Sequence, residues 1–135
     1  MTLFDTFGIA GSGLTVYRKW LDAVSDNIAN LNTVTATSDK AFQARYVVAR
    51  EVDFGNGVGG AEVAGAAFGN ADGRVVYEPD HPLADKDGMV RYPDIDLSSQ
   101  MTQLIMAQRG YQANLSVVER AKAAYEAALT LGRSS

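Results

Sequence analysis

The sequence predicts an α+β fold, with two long terminal helices in an antiparallel coiled-coil-like pair around a small β-rich middle insert. Three observations predict it. Phe7, Ala10, Leu14, Tyr17, Leu21, Val24, Ile28 and Leu31 recur at alternating steps of three and four. Near the other end Met101, Leu104, Tyr111, Leu115, Val118, Tyr125 and Leu129 keep the same rhythm, interrupted by Gln108 and Lys122. The stretch between them is rich in Gly and β-branched residues and shares neither pattern. A rhythm held over several heptads marks a coiled-coil seam rather than an ordinary surface helix. The implied divisions are an N-terminal helix at 1–32, a loop and β-rich middle at 33–95, and a C-terminal helix at 96–135.

The first helix is expected from about Leu3 to Asn30. Gly11-Ser12-Gly13 is awkward inside it, since a helix-interior Gly costs about 1 kcal/mol against Ala. Either the helix kinks or breaks there, or another backbone approaches closely; the two are compatible. Asn27, Asn30, Asn32 and Thr33 then end the helix, because Asn tolerates left-handed backbone and competes for its hydrogen bonds. Thr33–Lys40 is polar and non-periodic, hence a loop.

Phe42–Val52 alternates and is β-branched, so it reads as a strand. A flexible turn at Gly55–Gly60 leads to a weaker strand at Ala61–Phe68, and Asn70-Ala-Asp-Gly73 is a turn signal. Arg74–Tyr77 and Met89–Tyr92 are short strands flanking an acidic loop, together a hairpin with a long connection. Pro93 stops the last strand, and Asp94 or Asp96 caps the second helix.

That helix is expected over about Leu97–Leu131, with Gly132 as its terminator. It carries a second stripe of small residues: Ala107, Gly110, Asn114, Ala121, Ala124 and Ala128. Two stripes on one helix imply neighbours on more than one side, and a monomer has one other helix to offer. Ordering the first helix costs more conformational entropy than burial of its eight seam residues returns. The ends are therefore expected to fray in a free monomer and to fold on assembly.

Composition narrows the function. The net charge of −4 and the scattered Lys and Arg argue against nucleic acid, whose phosphates need clustered cations. With no Cys in 135 residues there are no disulfides, thiolate metal sites or Cys nucleophile. No apolar run approaches the ~20 residues that span a bilayer. The start, Met1-Thr-Leu-Phe-Asp-Thr-Phe, has no basic region followed by an apolar core, so no Sec-type signal is expected. His81, the sole His, lies between Asp80 and Pro82 as a turn residue without a nucleophile beside it. Asp80, Asp85 and Asp87-Gly88 lack calcium-loop spacing, and Gly57-Val-Gly-Gly60 opens no helix to cradle a phosphate. No metal or cofactor is expected.

Three segments then point to a family. Val24-Ser-Asp-Asn27-Ile-Ala-Asn30-Leu-Asn32-Thr33 resembles the NIANxNT signature of flagellar rod and hook proteins. Met106-Ala-Gln-Arg109-Gly-Tyr111-Gln-Ala-Asn114 is similar to their AxRAYxAN motif. Val76-Tyr77-Glu-Pro-Asp-His81-Pro82-Leu-Ala-Asp85, followed by Asp87-Gly88-Met-Val-Arg-Tyr92-Pro93, resembles the VYxPxHPxADxxGYVxYPNV run of the proximal rod proteins. The chain departs from the family at Gly110, where Ala is usual, at Met89, where Tyr is common, and at Thr33–Gln43, which lacks a PYRR-like run.

The resemblance implies a structural subunit of the bacterial flagellar basal-body rod, not an enzyme. Such a protein leaves the cytoplasm through the flagellar type III export apparatus without a cleaved signal. It polymerises across the periplasm into a helical tube with copies of itself, other proximal and distal rod subunits and a rod-base adaptor. Expected interface residues are Leu14, Tyr17, Leu21, Val24, Asn27, Ile28, Asn30, Asn32 and Thr33 on the first helix and its end. On the second they are Leu104, Arg109, Tyr111, Asn114, Leu115, Val118 and Tyr125. The competing readings are a coiled-coil adaptor that does not polymerise, another axial rod protein of the same family, and a small hydrolase using Asp80, His81 and Asp85. The adaptor gives no reason for the Asn-rich helix end or the His-Pro loop. That loop favours the proximal rod within the family, and a middle of weak strands leaves a hydrolase little room for a pocket.

Overall fold

Thr2 opens the chain's first helix with a reciprocal cap. Its hydroxyl accepts from the Asp5 N–H at 3.1 Å, and the Asp5 carboxylate accepts from the Thr2 N–H at 2.5 Å. These bonds hold the Asp5 carboxyl below its ordinary pKa. In the computed structural model, which describes residues 2–55 and 57–134, α1 then runs unbroken from Leu3 to Ala29. The expected break at Gly11-Ser12-Gly13 is absent. Ser12 instead donates to the Ile9 carbonyl at 2.7 Å and accepts from the Ala61 N–H at 3.1 Å, tying helix to strand. Asn30 caps the C-terminus, its side chain donating to the Asp26 carbonyl at 2.9 Å.

Strand β1 (Arg45–Asp53) pairs antiparallel with β2 (Gly59–Phe68), from Arg45 opposite Phe68 to Asp53 opposite Gly59. The first strand begins three residues later than its apolar alternation indicates. Ala44 and Gln43 spend their polar groups on Gly69 instead, which ends the ladder at Arg45. A bulge between Val48 and Ala49 re-aims the strand. Asn56, in the expected Gly55–Gly60 turn, lies outside the described residues. Both strands pack on α1.

A separate pair, β3 (Arg74–Tyr77) and β4 (Met89–Tyr92), forms the expected hairpin with a long connection. It is fastened to the 35–41 segment rather than to the helices. Thr35 bridges Arg91 through two 2.9 Å backbone bonds, and the Ala41 N–H donates to the Ala71 carbonyl at 2.8 Å. The Arg91 guanidinium donates to the Thr37 carbonyl at 2.7 Å and to that of Asp72. Ala41, Ala44, Val90 and Pro93 are buried here.

Asp96 caps the second helix, accepting from the Ser99 N–H at 2.7 Å. That helix, α2, spans Leu97–Ser134 and is about 57 Å long at 1.5 Å per residue. It passes through Gly132 instead of stopping there. No Pro or αL cap follows Leu131, so one Gly costs the last turn too little to end it.

Candidate subunit interface

The helices run antiparallel. Phe4 meets Tyr125, Gly13 meets Asn114, Tyr17 meets Gly110, Trp20 meets Gln103 and Asn27 meets Gln100. The lining of this seam is set by size complementarity. On α1 the expected stripe faces inward: Ala10 and Val24 are buried, and Phe7, Leu14, Tyr17, Leu21, Ile28 and Leu31 are half-buried. Tyr17 and Trp20 stack with centroids 5.9 Å apart, presenting a broad aromatic surface. Only small side chains fit opposite such bulk.

α2 answers with its small-residue stripe. Ala107 and Ala121 are buried, and Gly110 and Asn114 are half-buried. A Cβ at Gly110 would fall inside the Tyr17 ring, and one at Gly13 would stand 2.6 Å from the Asn114 Oδ1. Close approach of the Asn114 side chain therefore explains Gly13. Ala124 and Ala128 of the same stripe are exposed because α1 ends opposite Tyr125.

The large-residue line of α2 divides. Leu104, Tyr111 and Val118 sit half-buried on the flank of the seam. Met101 and Leu115 turn off the seam and are 44% and 38% exposed, whereas Leu129, 50% exposed, shares the azimuth of Tyr111 and lies past the end of α1. Tyr125 is also exposed, as are Arg109, Asn32 and Thr33. Thr33 binds back to Asn30 through its hydroxyl at 3.1 Å. Asn114 donates to the Gly110 carbonyl at 2.9 Å and turns its amide toward Gly13, so its contacts here are within the chain.

Asn27 departs from the helix-ending role its residue type implies. It is still inside α1, wholly buried, and its amide joins three parts of the chain. Its Nδ2 donates to the Arg45 carbonyl at 2.9 Å and to the Gln100 Oε1 at 3.0 Å, while its Oδ1 accepts from the Arg45 N–H at 2.8 Å. Gln100, 2% exposed, was not singled out by its residue type. Its position carried the signal: it lies seven residues before Ala107, on the line that continues through Asn114 and Ala121.

The acidic loop is an ordered turn. Asp85 accepts from the N–H groups of Asp87 and Met89, each at 2.9 Å, and from the Thr37 hydroxyl at 2.7 Å. The bond from Met89, then that from Thr37, holds its carboxyl below the ordinary value. His81 Nδ1 accepts from the Leu83 N–H at 3.0 Å, the bond of a turn residue. Gly88 has φ 74° and packs beneath Tyr77 and Pro79, where a Cβ would collide. Among the described residues no group of three His, Asp or Glu side chains is placed to hold a metal ion, and no helix is long and apolar enough to cross a membrane.

Comparison with known proteins gives this architecture a family. Residues 7–37 match the family described as flagella basal body rod protein, and residues 86–131 match the C-terminal family of flagellar basal body rod FlgEFG proteins. The two matches fall on α1 with its cap and on the acidic loop, β4 and most of α2. Over nearly its whole length the chain is 38% identical to the flagellar basal-body rod protein FlgC of Salmonella typhimurium, covering 98% of this chain and 100% of that one. The chain belongs to the FlgC family. FlgC of Escherichia coli is 37% identical with the same coverage, and that of Borreliella burgdorferi is 30% identical over 97% of this chain and 98% of that one. The protein is thus a structural subunit of the flagellar basal-body rod. The two segments on which the family models fall are the ones that build the helix pair, and the β1–β2 hairpin lies between them.

Proposed function

We propose that this FlgC-like chain builds the proximal rod, polymerising through its paired terminal helices into a helical tube that transmits torque and conducts exported subunits. The observation that carries this reading is the division of α2. Its small residues are spent on α1, while Met101 and Leu115 remain exposed on its outer side and Leu129 past the end of the pair. A line of large apolar side chains on a helix already partnered elsewhere is surface for a further helix. The three parts at 1–32, 33–95 and 96–135 then have separate tasks: the terminal parts form the axial layer and the middle faces outward.

In this reading Leu115, Tyr125, Arg109, Asn32 and Thr33 touch neighbouring subunits directly. Leu14, Tyr17, Leu21, Val24, Asn27, Ile28, Asn30, Leu104, Tyr111, Asn114 and Val118 set the shape of the pair that those neighbours grip. The neighbours are copies of the chain, other proximal and distal rod subunits and the rod-base adaptor. The chain reaches the periplasm through the flagellar type III export apparatus with no cleaved signal, and it needs neither catalytic groups nor a cofactor.

Replacing Leu115 and Leu129 by Ser tests the proposal. The L115S/L129S chain is expected to be exported at the normal level but to be missing from purified basal bodies, leaving cells non-motile. Normal swimming would overturn it.

A further inference from the structure

We infer that Asn27 and Gln100 form a register lock: their buried amide pair fixes the stagger of α1 against α2 rather than stabilising the pair. This rests on the rod-subunit reading only for its consequence, not for its geometry. The observation is the cost of the arrangement. Asn27 is 0% and Gln100 2% exposed, and the amides meet at 3.0 Å across 73 residues of sequence. Burying two amides where Leu would fit is unfavourable unless every polar group finds its partner. Both Asn27 amide protons and its oxygen find partners here, in Gln100 and in the Arg45 backbone.

Apart from Tyr17 against Gly110 and Gly13 against Asn114, the seam discriminates poorly between staggers. Small residues recur on α2 at steps of three and four, as in Ala107, Gly110 and Asn114 or Ala121 and Ala124, so a slip of one turn again sets small against large. A slip of α2 by one turn, about 5.4 Å, carries Gln100 away from Asn27 and leaves a buried N–H without its acceptor. A slip in α1 also drags Arg45, because the same Asn27 amide holds both backbone groups of that residue. One side chain therefore indexes helix to helix and helix to hairpin together. A single polar residue at a core position of a coiled coil sets register in the same way, at a cost in stability. Replacing both partners of a buried hydrogen bond by apolar residues of similar shape can be nearly neutral. That leaves the Arg45 bonds as the share of stability that Asn27 carries. The lock accordingly separates from the strength of the fold.

The chain contains no Cys, so spin labels attach cleanly at K19C and K122C, exposed positions offset along the axis. In the isolated chain, with sucrose present to favour the folded helix pair, pulsed dipolar spectroscopy is expected to give one narrow distance. In the N27L/Q100L background the helical content is expected to be unchanged and the melting temperature to fall only by what the two lost Arg45 bonds contribute. The distance distribution, however, splits into populations about 5 Å apart, one helical turn. Q100L alone, which leaves Asn27 on Arg45, gives a smaller second population. A single unchanged distance in N27L/Q100L would show that the Tyr17–Gly110 fit sets the stagger and overturn the inference. Unfolding of N27L/Q100L, or several distances in the labelled parent, overturns it equally. Failure of rod incorporation elsewhere leaves this readout untouched, so the two proposals fail separately.

Discussion

The two helices of one seam use opposite residue sizes. α1 turns its large side chains inward, with Val24 buried and Tyr17 stacked on Trp20. α2 turns its small ones inward, burying Ala107 and Ala121 while Met101 and Leu115 face out. The difference teaches that the inner face of a helix is decided by its partner. A broad aromatic surface takes a flat stripe of Ala and Gly, because interiors pack to near-crystalline density and leave no room for large against large. The large residues of α2 are then left for another neighbour.

Enlarging the buried side of α2 breaks the seam most. Ala107→Leu places three extra heavy atoms where the side chain is 0% exposed, and is expected to cost about 3 kcal/mol by overpacking. Thermal unfolding followed by helical circular dichroism measures it. Gly110→Ala comes next. The gain of about 1 kcal/mol in helix propensity is outweighed by the collision with the Tyr17 ring, for a net loss of about 1 kcal/mol. Tyr17→Leu in the same chain is expected to return that loss, so a double-mutant cycle with positive coupling confirms the pairing and additive effects refute it.

Acid acts away from the seam. The folded Asp85 carboxyl titrates below its ordinary value of 3.8, so its contribution is present above that value and lost as pH falls through the folded pKa. Amide resonances of Thr37 and Met89 should move in that acid range, and Asp85→Asn should flatten both titrations. The smallest effect belongs to the outer line. Met101→Ala is expected to change the stability of the isolated chain by no more than about 0.5 kcal/mol in chemical denaturation. A larger loss would mean that the outer residues already serve the single chain.

Local chemistry was legible in the sequence. The bounds of β3 and β4, the Asp96 cap and the Asn30 cap follow from turn residues, β-branching and capping side chains acting over a few positions. The β3–β4 pairing followed from the same signals, and the helix pair from the heptad rhythm of the two ends. What the sequence did not show was which stripe of α2 faces α1, because hydrophobic rhythm weighs a residue by its size and contact weighs it by its complement. Asn27 was misread for a related reason. Its residue type favours helix ends, but it lies three residues after Val24 on the buried face, and its partners stand 18 and 73 residues away. Such pairs are invisible to any local window. Gly132 failed as a terminator because the residues around it are adequate helix formers.

The β1–β2 hairpin is tied to α1 both at its base and, through the Ala61 N–H on Ser12, near its far end. Arg45 is held at its base by Asn27, and Ala44 by Gly69, while its far end lies between Asp53 and Gly59. Extra chain added at that far end falls beyond the last of these ties and leaves both in place. A peptide tag, a fluorescent domain or a lineage-specific extension spliced there would ride on the finished rod, and the helix pair beneath would keep its spacing.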